Sequence, residues 1–186
     1  MTLDPAAQLL LRAALSVLFA RAAAHKLADI DAFRRAVEGY QLFAPLWAVP
    51  VGAALIAAEI ALAVGLWLPP LAPSAGLGAA ALLGLYGAAM AVNLARGRRD
   101  VDCGCSGPAQ RQPIRAALVA RNAALAALAL LSALPAGARA LGWLDLYTIG
   151  AGVLVLVLGW IAADGLLAGA VRSAALRGAQ GERAGA

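Results

Sequence analysis

Apolar residues run through this chain in blocks of about twenty, and the breaks between blocks are charged, polar or proline-rich. The blocks cover residues 6–27, 46–68, 74–94, 114–134 and 146–171. At about 1.5 Å rise per residue, each is long enough to cross a hydrocarbon core of about 30 Å as a helix. Asp4-Pro5 supplies an N-cap and a first-turn proline for the first block. Pro69-Pro70 ends the second, with Pro73 in an uncharged tight turn; Pro113 is placed to start the fourth, and Pro135-Ala136-Gly137 breaks it. The third block is rich in small residues, including Gly76, Gly78, Gly84 and Gly87, which permit close helix–helix approach. Between the first two blocks, Ile30, Phe33, Val37 and Tyr40 recur at three- and four-residue spacing, with Arg34, Arg35 and Glu38 around the other face. That pattern predicts a short helix, either lying in the membrane interface or packed on the bundle as a connector. The expected fold is all-α: a polytopic membrane helix bundle of about five transmembrane helices over residues 1–171. Residues 95–113 form its polar loop, and residues 172–186 a disordered basic tail.

Composition strengthens this picture. Hydrophobic residues make up 63% of the chain and charged residues 13%, against about 45–50% and about 25% in soluble domains. The chain is therefore a multi-pass protein whose first partner is the lipid bilayer. The first block lacks the positive flank of a secretory signal and is expected to be retained. A net charge of +5 would suggest nucleic acid in a soluble protein, but no interleaving of aromatic and basic residues supports that, and the cations fall in loops. Five spans put Lys26, Arg34, Arg35, Arg96, Arg98, Arg99, Arg111, Arg115, Arg172, Arg177 and Arg183 on one side, with Arg139 in the opposite loops. The positive-inside rule then places the polar loop and C-terminus in the cytoplasm.

The chemistry is concentrated in Asp102-Cys103-Gly104-Cys105-Ser106-Gly107, which holds both cysteines. Two randomly placed cysteines would fall two apart in roughly 1% of such chains, so the pair points to function. Gly104 allows the tight turn that would bring the sulfurs together. A disulfide there would close a minimal, strained loop, adding little stability and remaining readily reduced. Arg98, Arg99 and the start of the fourth helix favour a thiolate, whereas Asp100 and Asp102 oppose it. A redox-active dithiol is weighed against metal binding, which lacks ligands because the only histidine is His25 on another loop, and against an inert thiol pair. No metal site is expected.

The spans hold few ionisable groups. Glu59 lies near the middle of the second, where an acid needs a partner or a task; Arg21 or Lys26 would neutralise it. Arg12 and Lys26 sit near the ends of the first block and would snorkel. Arg121 and Asn122 are expected to hold partners within the bundle. Trp47, Trp67, Trp143 and Trp160 look like interfacial anchors.

A family resemblance rests on these residues in order: Lys26-Leu27, Phe33, Tyr40 with Leu42, Glu59 with Gly65, Asn93-Leu94 followed by Arg96-Gly97-Arg98, then Cys103-Gly104-Cys105 with Gly107, then Arg121-Asn122. Over roughly residues 9–134 the chain resembles the methylamine utilisation protein MauE family, within the wider group of DoxX-like membrane proteins. It departs from the family pattern at Ser106, where Phe is usual, and at Ala23, where Gly is usual. The resemblance implies a four-helix core and a role in maturing the disulfide-rich small subunit of methylamine dehydrogenase beside a thioredoxin-like partner. A disulfide-bearing client protein would be the substrate, with Cys103 and Cys105 as the exchanging thiols. An exported client would need these thiols outside, opposite to the side that charge assigns. No cofactor is read from the residues; a relay across the membrane would need a second thiol pair, which the chain lacks, or a quinone. Two other classes stay open: a small-solute or ion carrier using Glu59, Asn93 and Arg121, and a membrane chaperone without chemistry.

Overall fold

The structure is a computed structural model and describes residues 2–103 and 113–184. Helix α1, Pro5–Ala28, starts where Asp4 accepts hydrogen bonds from the amides of Ala6 at 2.9 Å and Ala7 at 3.4 Å. It ends at Asp29, whose carboxylate accepts from the Ala32 amide at 2.8 Å and so opens α2, Ile30–Gly39. The amphipathic connector is thus a helix, and it packs on α1 and on α3, Ala48–Gly65. A single 3₁₀ turn, Pro45–Trp47, leads into α3. Helix α4, Ala72–Ala95, takes Pro73 into its own first turn, where a missing amide donor costs nothing. Pro73 therefore belongs to the span and not to the turn before it.

Helix α5 is Ala116–Ser132, and Pro113 does not start it. Pro113 instead pairs with Asp102 in an antiparallel bridge, and the Ile114 amide donates to the Val101 carbonyl at 3.0 Å. Those bonds hold residues 113–115 extended, so the helix waits until Ala116. Helix α6 is Trp143–Ala184. Its backbone stays helical through residues 172–184, where the sequence suggests a disordered tail; Ala, Leu, Arg, Gln and Glu dominate there, and all favour helix.

The architecture is all-helical among the described residues. Four helices are long and apolar enough to cross a membrane: Pro5–Ala28, Pro45–Gly65, Ala72–Ala95 and Trp143–Ala163. With 17 residues α5 is shorter, yet it packs along α4 inside the bundle. Helices α1, α3, α4 and α5 surround one core, built on Leu15, Phe19, Leu66, Leu82, Leu83 and Ala129. Helix α6 lies outside this core against α1. Large apolar side chains such as Leu46, Val64, Leu77, Leu85, Leu154 and Val155 point outward, as a lipid solvent requires.

Small residues set the closest helix contact. A Cβ on Gly76 would come within 3.0 Å of Ser132 Oγ and 3.2 Å of the Ala129 carbonyl, so only glycine lets α4 approach α5 this closely. At the end of the bundle away from the cysteines, the Leu3 amide donates to the Pro135 carbonyl at 3.0 Å. The Gly137 amide returns a bond to Leu3 at 2.9 Å. Arg139 reaches across the same end, 3.1 Å from Asp4 and 2.8 Å from Asp145.

Candidate functional site

The site begins at the C-terminus of α4. Gly97 adopts a left-handed φ of 75°. The Gly97 amide bonds the Leu94 carbonyl at 3.0 Å and the Arg98 amide bonds Asn93 at 3.0 Å. This double closure is a Schellman cap, which needs glycine at that position. It turns the chain back, so that Arg98 lies against the end of α2. There the Arg98 guanidinium donates to the carbonyls of Gly39 at 2.9 Å and Tyr40 at 3.3 Å, and to Asn93 Oδ1 at 3.0 Å. Asn93 is fully buried. Arg98 therefore serves the carbonyl end of a helix, where a cation is favoured; Arg99 is exposed beside it.

Cys103 follows at the base of the loop, just after the Asp102–Pro113 bridge. Its side chain is buried, 6% exposed, among Met90, Ile114 and Leu118, with Sγ 3.9 Å from Met90 Sδ. The Tyr40 hydroxyl donates to its carbonyl at 3.3 Å. Cys103 lines a cavity of about 110 Å³ together with Lys26, Phe33, Tyr40, Tyr86 and Met90. Gly104 and Cys105 lie outside the described residues.

Lys26 of that lining belongs to an ion pair. Lys26 Nζ bonds Glu59 Oε1, and the Tyr86 hydroxyl donates to the same oxygen at 2.8 Å. Lys26 also sits over the rings of Phe33 at 5.2 Å and Tyr86 at 5.1 Å, within cation–π range. Both charges are buried. Lys26 does not snorkel, because α2 folds over the end of α1 and covers it with Phe33. Of the two cations the sequence offers Glu59, the structure selects Lys26. Arg21 instead donates from Nε to His25 Nε2 at 3.1 Å, and its Nη1 is buried without a hydrogen-bond partner.

Arg21, Glu59, Arg121 and Asn122 come together along a second cavity, of about 170 Å³, between α1, α3, α4, α5 and α6. The Arg121 guanidinium lies over the Trp160 ring at 4.4 Å, so Trp160 also makes a contact within the bundle. Asn122 donates to the Leu118 carbonyl at 2.9 Å. Asn93 is absent from this lining, so the three residues of the carrier reading do not share one path. Tyr86, which donates to Glu59, is a residue that the sequence pattern did not single out. Tyr86 had a signal: it is a phenol inside an apolar span, and Glu59 needs donors.

Residues 5–135 match the family model described as methylamine utilisation protein MauE. The methylamine utilization protein MauE of Paracoccus versutus is 41% identical over 146 residues, 78% of each chain. That of Paracoccus denitrificans is 42% identical over 120 residues, 64% of each chain, so the match spans a little under two thirds of that relative. The protein of the same name from Methylorubrum extorquens is 37% identical over 160 residues, 86% of this chain and 81% of the relative. No solved structure matches the chain.

Proposed function

The chain belongs to the methylamine utilisation protein MauE family, and from that premise we propose that it assists maturation of a disulfide-rich client by thiol–disulfide exchange. The client favoured by the family is the small subunit of methylamine dehydrogenase. The place of work is the cell membrane, and the electron partner is a thioredoxin-like protein. The observation that carries this reading is Cys103, held at the mouth of the bundle on a loop closed at its base, in a chain whose only two cysteines are one residue apart.

Burial divides the labour between the thiols. Cys103 is packed under α2 and Met90, out of reach of a folded protein, so Cys105 meets the partner. The Cys105 thiolate attacks the partner's disulfide, forming a mixed disulfide and releasing one partner thiolate, which takes up a proton. The Cys103 thiolate then attacks Cys105 Sγ. The second partner thiolate leaves, and the Cys103–Cys105 disulfide remains. Two electrons pass to the partner, and the reverse sequence oxidises a client dithiol. Arg98 serves this exchange by holding the loop against α2, and the exposed Arg99 favours the thiolate that reacts.

Trapping tests the order and the chemistry separately. In Cys103→Ser the mixed disulfide cannot be resolved and should accumulate with a thioredoxin-like protein; in Cys105→Ser it should not form. Trapping only in Cys105→Ser would reverse the roles. Trapping in neither variant would remove the redox reading and leave a membrane chaperone without chemistry.

A further inference from the structure

The 170 Å³ cavity does not reach Cys103, although Tyr86 lines both cavities, and it has two unlike ends. Arg21, Asn122 and Trp160 line the end nearer the cysteine loop, because α1 runs toward that loop, α5 runs away from it, and α6 returns toward it. Leu11 and Leu128 line the opposite end. Leu128 and Leu156 are exposed, so the cavity opens among apolar side chains and takes its occupant from the lipid phase.

Charge defines the head of that occupant. Glu59 is neutralised by Lys26. His25 accepts a hydrogen bond from Arg21 and so brings it no negative charge. Among Arg21, Lys26 and Glu59, one positive charge is left over. It belongs to Arg21, whose bond to His25 brings no counter-charge and whose buried Nη1, like Glu59 Oε2 on the same cavity, has no hydrogen-bond partner. A cation inside a span needs an anion or an aqueous path. Size limits the body: an apolar cavity of about 150 Å³ holds a single benzene, so this one takes the head and first carbons of one chain, whose remainder lies outside among exposed side chains such as Leu128 and Leu156.

We propose that this cavity binds a single-chain carboxylate amphiphile of the fatty-acid class, its head at Arg21 and its chain toward Leu128. The test uses the full chain in phosphatidylcholine nanodiscs with 9,10-dibromostearate, whose bromines quench tryptophan fluorescence. Quenching should be saturable, and the saturable part should vanish in Trp160→Phe, since Trp160 lines the cavity. Arg21→Gln should weaken binding by about tenfold or more, the worth of one charge-assisted hydrogen bond. Ala14→Phe, which fills the cavity and leaves Arg21 in place, should abolish saturable quenching even if Arg21→Gln fails to fold. Equal quenching by the brominated stearyl alcohol would overturn the proposal, as would saturable quenching by brominated phosphatidylglycerol alone. Saturable quenching that persists in Ala14→Phe would overturn it too.

Discussion

Lys26 and Glu59 meet inside the bundle, 33 residues apart in the chain, with side chains 3% and 0% exposed. An ion pair so deep is held by its geometry, and removing one member strands the other in an apolar interior. Lys26→Met or Glu59→Gln should therefore each cost about 3–5 kcal/mol, whereas joining the two changes should recover much of the loss. Thermal unfolding in detergent measures this. Pairing Glu59→Gln with Arg21→Gln should show no such recovery, and strict additivity for Lys26 would refute the assignment.

Arg98 and Asn93 form a second unit. Arg98→Ala removes three charge-assisted bonds that join the α4 cap to the end of α2 and should cost about 1.5–3 kcal/mol. Asn93→Ala should overlap with it, so that the double variant loses less than the sum. The same variants should raise the labelling rate of Cys103 by maleimide, because α2 and the Tyr40 hydroxyl cover it.

At the opposite end, the hydrogen bond from Arg139 holds the Asp4 carboxyl below its ordinary range. The hydrogen bonds to Asp145 and, after it, Asp4 push Arg139 above its own range. A depressed acid contributes stability above its unfolded pKa of 3.8 and loses it as pH falls through the lower folded value. Acidification below pH 4 should therefore loosen this end first, while Arg139 stays charged at every pH used. The protection factors of the Ala6 and Ala7 amides, taken relative to intrinsic exchange at each pH, should fall on acidification, and Arg139→Ala should show the lower protection already at neutral pH.

The dithiol should titrate as one two-electron couple. A disulfide across one residue is strained and should lie well above the roughly −300 mV of structural disulfides. In glutathione buffers of graded poise, Cys103 and Cys105 should lose and regain label together. Full labelling of both in every buffer would exclude a redox centre.

Orientation follows from charge. A reporter fused after Ala186 should be active only when it is one that works in the cytoplasm. Activity of an export-dependent reporter there would instead put the cysteine loop outside, on the side of an exported client.

The spans were legible because lipid imposes long apolar runs, and the need of Glu59 for a cation was legible because a lone acid in a span is costly. Which cation was not. Lys26 stands at a helix end, where sequence suggests a snorkelling side chain, and only the fold of α2 across it turns that end into an interior. Pro113 misled for a related reason: proline suits a helix start, but the bridge to Asp102 had a prior claim on its backbone. Trp160 sits at a depth typical of an anchor, and nothing local records that Arg121 of another helix lies under its ring. Each of these is a contact between elements distant in sequence, which periodicity within one element does not encode.

The strap made by Leu3 with Pro135 and Gly137 has a bearing on biogenesis. It joins the chain's beginning to the residues just after α5, so the ring of α1, α3, α4 and α5 is fastened before any residue of α6 is needed. During synthesis, which proceeds from the N-terminus, a membrane-inserted ribosomal product can reach this closed state while the last span is still in the exit tunnel. Helix α6 then docks on a finished surface of α1, as a late arrival that supplies the final wall of the cavity.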